Sequence, residues 1–250
     1  MSKRLLILGG TGEAAHLATQ AIDTFGTALD VISSLAGRVN TPRPLPGRVR
    51  VGGFGGRDGL VRYIKAEKID LLIDATHPFA TAISANAHGA CDQTGTPRLV
   101  LVRPHWPTLP HDAGIEVDDL VAAAQALPKL GTRAFLSFGQ GGIEAFSHLS
   151  DTAFVVRLID APEKPLALPH ATVTTGRPPF TVEGEKALFK SHGIDVLVSK
   201  NSGGTAVPAK ITAALELEIP TVLITRPPTE PGPHADSIEQ ALGWISGHAE

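Results

Sequence analysis

The 250-residue sequence predicts an α/β protein made of two doubly wound halves with parallel sheets. Three observations lead there. Short apolar runs recur along the chain, and most are continuous rather than alternating, as in strands buried on both faces. Segments of helical periodicity lie between them, which is the order of a parallel sheet flanked by helices. The pattern also occurs twice. "LLILGGTGEA" at 5–14 resembles "AFLSFGQGGIEA" at 134–145, and "IDLLIDATHPFATA" from Ile69 resembles "IDVLVSKNSGGTA" from Ile194, with offsets of about 125 to 131 residues in both comparisons.

In chain order, the first set of strands is expected at Leu5–Leu8, Leu29–Ser33, Val49–Val51, Leu71–Ile73 and Leu99–Val102. The second set is expected at Ala134–Phe138, Phe154–Leu158, Thr172–Thr174, Val196–Val198 and Thr221–Ile224. Helical spacing is clearest in Ala14–Ala21, Asp58–Ala66, Thr81–Cys91, Val117–Leu127, Glu183–Ser191 and Ala206–Leu217. Glu144-Ala145 is expected to open a further helix, as Glu13-Ala14 does. Glycine and proline gather at the element ends. The halves are expected to meet within "ALPKLGTR" at 126–133, giving domains 1–128 and 129–250.

Composition narrows the function. Net charge is −3, which argues against a nucleic-acid or membrane-surface binder. No apolar run approaches the roughly 18 residues of a transmembrane helix, and "MSKRLLILGG" is too short in its apolar part for a signal peptide. The one cysteine, Cys91, cannot form an internal disulfide, and a cytoplasmic protein is expected. The histidines show no metal-ligand spacing, so no metal site is expected.

The chemistry gathers at strand ends, where open parallel sheets bind ligands. Gly10-Thr11-Gly12-Glu13-Ala14-Ala15 fits G-x-G-x-x-A between a strand and a helix, the setting of a dinucleotide fingerprint. The first glycine permits the turn, the second lets a pyrophosphate approach, the small third residue packs helix on strand, and helix-start amides face the anion. The next strand ends in Ser33-Ser34 and is followed by Arg38, with no acid at its tip; Asp30 lies near its start. Hydroxyls and an arginine suit a 2′-phosphate, so NADP(H) is expected over NAD(H). Arg38 as a solvated loop cation is the alternative.

Asp74-Ala75-Thr76-His77-Pro78 ends a later strand. Thr76 and His77 could bond a ribose, a nicotinamide amide or a substrate, and His77 could donate a proton. Pro78 is expected at a helix start. Helix capping by Asp74 and Thr76 is the plainer alternative. The matching end is Ser199-Lys200-Asn201-Ser202-Gly203-Gly204, a backbone-accessible loop able to hold an anion or an amide. Trp106 is read as loop packing. A Tyr-x-x-x-Lys dyad is excluded, because Glu67 stands four residues after Tyr63, the sole tyrosine.

"ILGGTGEA" (7–14), "SSLAGR" (33–38), "DATHPFA" (74–80), "RP" (103–104) followed by Trp106, "SKNSGG" (199–204) and "TRP" (225–227) together resemble the precorrin-6A reductase family of cobalamin biosynthesis, the CobK/CbiJ type. The resemblance spans nearly the whole chain. It implies two Rossmann-like domains with an active-site cleft between them, and NADPH-dependent reduction of one double bond of a tetrapyrrole, precorrin-6A, to precorrin-6B. Carried over by position, it sets Gly10, Thr11, Gly12 and Glu13 against the cofactor, and Ser34 and Arg38, with Ser33, toward its adenosine phosphate. Thr76, His77 and Pro78 fall beside the nicotinamide, and Lys200, Asn201, Ser202 and Gly203 on the opposite wall. Arg103, Arg177, Lys200 and Arg226 are expected to make a basic wall for the substrate's carboxylates. The proton comes from His77, Lys200 or bound water. Other enzymes of the pathway are candidate partners. Another NADP-dependent oxidoreductase, or a dinucleotide-sensing regulator on the same fold, is the rival reading.

Overall fold

The computed structural model describes residues 2–37, 44–106, 110, 113–204 and 208–249. The apolar runs become strands: β1 (Lys3–Leu8), β2 (Leu29–Leu35), β3 (Arg48–Val51), β4 (Leu71–Asp74) and β5 (Arg98–Leu101). These are followed by β6 (Gly114–Val117), β7 (Arg133–Leu136), β8 (Ala153–Leu158), β9 (Ala171–Thr175), β10 (Val196–Lys200), β11 (Thr221–Ile224) and β12 (His234–Ala235). The helices are α1 (Gly12–Phe25), α2 (Gly56–Ala66), α3 (Thr81–Thr94), α4 (Leu120–Ala126), α5 (Val182–His192), α6 (Ala209–Glu216) and α7 (Ile238–Ala249).

Two six-stranded sheets result, with orders β3-β2-β1-β4-β5-β12 and β9-β8-β7-β10-β11-β6. Every pairing is parallel. In both sheets the order reverses beside the strand that begins the winding: between β1 and β4, and between β7 and β10.

The chain divides into two lobes, Met1–Pro104 with Pro227–Glu250, and His105–Arg226. This corrects the expected split at 128/129. The sequence pattern does start again there, since β7 opens the second winding. The sixth strand of each sheet, however, is contributed from the other side of that point. β6 precedes β7 and pairs with β11, where Thr225 N–H donates to Val117 O at 2.8 Å. β12 lies near the C-terminus and pairs with β5, where Val102 N–H donates to Ala235 O at 2.8 Å. Arg98 secures the returning segment, donating to the Pro231 carbonyl and, at 3.2 Å, to His88 Nδ1. Both edge strands are short and carry polar residues, so they lack the apolar run that marks a buried strand. Val117, expected in a helix, closes β6; Asp119 then caps α4 by accepting the Ala122 amide at 2.8 Å.

In the first lobe the sheet is covered on both faces, as period-2 alternation requires. Leu5 and Ile7 pack with Leu17, Ala18 and Ala21 of α1 and with Ala241 and Ile245 of α7. Leu6, Leu8 and Leu72 pack with Leu60 and Ile64 of α2 and with Ala87, Ala90 and Cys91 of α3. Each fully buried Leu or Ile contributes about 1.5–3 kcal/mol by leaving water. Burial also pushes the Cys91 thiol up to about 12. In the second lobe, Phe135, Val155 and Leu197 meet Phe189 of α5 and Ile211 of α6, and Trp106, from the loop after β5, packs into this core. The expected helix at Glu144-Ala145 is a 3-10 turn, Ile143–Phe146. The expected helix at Ala206–Leu217 is observed from Ala209; its first residues lie outside the described ones.

Candidate active site

The first lobe's sheet reverses between β1 and β4, and such reversals are where open α/β sheets accept ligands. The glycine turn and the Asp74 tip both stand there. Gly9 donates to Ser34 O at 3.0 Å, and a Cβ on Gly9 would come within 3.3 Å of Ala14 Cβ. Ala14, not Ala15, is therefore the small residue that seats the helix on the strand. Gly10 has φ 105°, in the region that favours glycine. Thr11 does two jobs with one hydroxyl: it accepts the Ala14 amide at 3.1 Å, capping α1, and donates to Ala75 O at 2.8 Å. That second bond joins the glycine turn to the end of β4.

At the end of β4, Asp74 is buried and its Oδ1 accepts from Thr76 N–H at 3.1 Å and from Thr76 Oγ1 at 2.7 Å. This is an Asx turn. It replaces the capping alternative, since the residue before α3 is Ala80 and no side chain caps that helix. Pro78 precedes the helix rather than opening it; it lies in a turn closed by Ala80 N–H to His77 O at 2.7 Å. Within that turn Phe79 N–H donates to His77 Nδ1 at 3.3 Å. In the neutral imidazole this leaves the proton on Nε2.

At the tip of β2, Ser33 and Ser34 are buried. Arg38 lies outside the described residues. Another arginine, absent from the sequence reading, reaches the tip: Arg50 of β3 is in register with Ser34 and donates to its Oγ at 3.0 Å. Arg50 also donates to Gly52 O at 2.7 Å and Gly53 O at 3.0 Å, and its guanidinium lies 3.8 Å from the Phe54 ring centroid. Only a strand register shows this neighbour, so no local motif could have found it. Asp30 is engaged at the opposite end of the sheet, with Arg4 at 2.9 Å and Arg48 at 3.2 Å. No acid competes at the β2 tip among the described residues. Arg103, expected against substrate, follows β5 in this same lobe and pairs with Glu13 at 2.8 Å. Burial pushes its guanidinium below the ordinary value, and Glu13 opposes that.

The second lobe's reversal, between β7 and β10, collects the Lys200–Gly203 candidates. Lys200 ends β10 with its ammonium 5.0 Å from the Phe138 ring centroid. Asn201 is buried and donates its backbone N–H to Ile224 O at 2.8 Å. Ser202 N–H turns back to Lys200 O at 2.9 Å, and Gly203 has φ 67°. Arg177 lies beyond β9 and pairs with Asp160 at 2.9 Å, and Arg226 follows β11. Thus Thr11, Thr76 and His77 share one strand-end cluster and Lys200 to Gly203 another, while Arg177 lies apart, beyond the edge strand of its sheet. Three buried atoms at these tips, Ser33 Oγ, Asp74 Oδ2 and Asn201 Oδ1, have no hydrogen-bond partner among the described residues. Buried polar atoms are normally paired, so these three are exceptions at the strand ends.

Among the described residues no group of His, Cys, Asp and Glu could hold a metal ion, and no helix is long and apolar enough to cross a membrane. The profile of the family described as Precorrin-6x reductase CbiJ/CobK matches residues 4–246. A precorrin-6A reductase of Rhodococcus erythropolis is 46% identical over 243 residues, covering 97% of each chain. One of Rhodobacter capsulatus is 41% identical over 245 residues, covering 98% of this chain and 96% of that one. The solved structure of a CobK precorrin-6A reductase superposes with a TM-score of 0.91 at 41% identity, covering 98% and 97% of the two chains. Matched over nearly its full length in sequence and in fold, the chain belongs to the precorrin-6x reductase family CbiJ/CobK.

Proposed function

We propose that the protein is a cytoplasmic enzyme that reduces one double bond of precorrin-6A with NADPH, giving precorrin-6B. The observation that carries this reading, beside family membership, is the Thr11–Ala75 bond. It brings the glycine turn and the Asp74–Pro78 tip to one point at the sheet's reversal.

The residues suit a dinucleotide. A Cβ added at Gly10 or Gly12 would meet no atom within 4 Å, so the backbone there is open to a pyrophosphate. Gly10, Thr11, Gly12 and Glu13 would hold it, with Ser33, Ser34, Arg38 and Arg50 toward the 2′-phosphate and Thr76, His77 and Pro78 toward the nicotinamide. When bound, the nicotinamide supplies a hydride, two electrons with one proton. The Asp74 turn orients Thr76. The Phe79 amide holds neutral His77 in the tautomer whose proton is on Nε2, so His77 donates a hydrogen bond to the substrate from that atom, and the second proton comes from Lys200 or bound water. In the second lobe, Lys200, Asn201, Ser202 and Gly203 bind the substrate, with Arg177 and Arg226 as further cations for its carboxylates. Arg103, tied to Glu13, steadies the cofactor side.

The test is anaerobic incubation with precorrin-6A, following NADPH absorbance and the pigment spectrum together. Stoichiometric loss of NADPH with conversion of the pigment is expected. NADPH oxidation with an unchanged pigment would overturn the reading. In the same assay His77→Ala, which removes that hydrogen-bond donor, should lower kcat by about 10²-fold with little change in NADPH affinity.

A further inference from the structure

The two lobes can be aligned through hydrogen bonds they share, and one buried patch then differs sharply. Arg4 N–H donates to Asp70 Oδ2 at 2.7 Å, and Arg133 N–H to Asp195 Oδ1 at 2.7 Å, which places Ser137 where β1 has Leu8. Ile69 N–H donates to Ile64 O and Ile194 N–H to Phe189 O, both at 2.9 Å, which places Glu185 where α2 has Leu60. Thr96 N–H donates to Cys91 O at 3.1 Å and Ile219 N–H to Ala214 O at 2.9 Å, which places Lys210 where α3 has Ala87. Strand register then sets Arg157 where β2 has Ser34. In the first lobe Leu8, Leu60 and Ala87 belong to one apolar core, exposed by 2%, 0% and 0%. In the second lobe the same three places hold a hydroxyl, a carboxylate and an ammonium.

These polar groups do not neutralise one another. Arg157 pairs with Glu185 at 2.8 Å, with side chains 9% and 1% exposed, and its guanidinium lies 3.8 Å from the Phe180 ring centroid. Lys210 Nζ donates to Ser137 Oγ at 2.8 Å, a neutral partner. Two cations and one carboxylate leave a net charge of about +1, held at the sheet's reversal. Burial pushes the Lys210 ammonium down to about 8; Arg157 adds to this and Glu185 opposes it. An ammonium set where the repeat has a core alanine, and given only a hydroxyl, is poised for an anion.

We propose that Lys210, with Ser137 and the Glu185-held Arg157, is a binding site for one carboxylate of the tetrapyrrole substrate. The inference rests on the function proposed above. Lys210 anchors the carboxylate by a charge-assisted hydrogen bond, and Ser137 and Glu185 position the two cations.

Steady-state kinetics with precorrin-6A at saturating NADPH test it, with NADPH affinity read separately by fluorescence titration. Lys210→Met is expected to raise the KM for precorrin-6A by about tenfold or more, as loss of a charged hydrogen bond does. The dissociation constant for NADPH should stay within about twofold, and Lys210→Arg should restore most of the loss. Ser137→Ala, a milder variant, should raise the same KM by a smaller factor. Facing Lys210 are Ser137 just past β7, Arg157 of β8 and Glu185 of α5. Because the site needs the protonated lysine, wild-type kcat/KM should fall above pH about 8, and Lys210→Met should lack that limb. An unchanged KM and pH profile in an active Lys210→Met variant would refute the site, as would a loss confined to NADPH binding. Should wild type bind precorrin-6A without reducing it, the functional reading fails by itself. Absorbance titration of the pigment then decides the site, which stands only if Lys210→Met binds about tenfold more weakly.

Discussion

The two lobes agree at the bottom of their sheets and part company at the top. At the bottom, Asp70 and Asp195 each accept the backbone amide of an arginine in the first two residues of the neighbouring strand. There too Leu72 and Leu197 each donate to a proline carbonyl at 3.0 Å, Pro97 and Pro220. At the top, β1 runs through a glycine turn into the 14-residue helix α1, whereas β7 runs through Gly139–Gly142 into a four-residue 3-10 turn. The apolar patch of Leu8, Leu60 and Ala87 is matched by Ser137, Glu185 and Lys210. One scaffold thus keeps its closed end and varies its open end. A long helix start suits a pyrophosphate, and a cationic patch suits carboxylates.

The contrast can be broken most forcefully at Glu185. Glu185→Gln removes the partner of Arg157 inside the second lobe, and unfolding by urea should show a loss of about 3–5 kcal/mol. A loss below about 1 kcal/mol, the scale of exposed pairs, would show that the pair behaves as if solvated and that the open ends differ less than claimed. Lys210→Met should act in the other direction. The Lys210 pKa is lowered on folding, from 10.5 to about 8, so the unfolded chain holds the proton more tightly and the lysine costs stability at neutral pH. The variant should gain about 1–3 kcal/mol at pH 7. The gain should fade as pH rises from about 8 toward 10.5. No gain at pH 7 would mean that the ammonium is well solvated. The smallest effect belongs to the first lobe: Thr11→Ala should cost about 1 kcal/mol through the lost cap, together with the tie to Ala75. The same alanine at Gln140, the place of Thr11 in the second lobe, has no helix to uncap and should leave stability unchanged.

Much of this was legible in the sequence because buried strands and helices advertise themselves. The ten apolar strands were expected and all ten are present. β6 and β12 were not, for each is a short edge strand with too few apolar residues to stand out from a loop. Missing them moved the boundary between lobes, although the repeat itself was read in the right place. At the strand ends, Thr11, Thr76 and His77 were named as candidates because motifs are local and strand ends are predictable. Arg50 and Lys210 were not. Arg50 matters only because β3 pairs with β2 in register. Lys210 looks like any helix-start lysine until α6 is packed against β7 and its ammonium meets Ser137.

NADPH titration of a matched pair of variants, Gly12→Val and Gly141→Val, tests the claim most directly. The two glycines occupy equivalent places after β1 and β7, and at either one an added Cβ would meet no atom within 4 Å, so both folds should tolerate the change. Wild type and Gly141→Val should bind one NADPH per chain with equal affinity, and Gly12→Val should bind at least about 100-fold more weakly, as the glycine's place against a pyrophosphate requires. Equal binding by all three proteins, or a loss in Gly141→Val instead, would contradict the assignment of the cofactor to the first lobe.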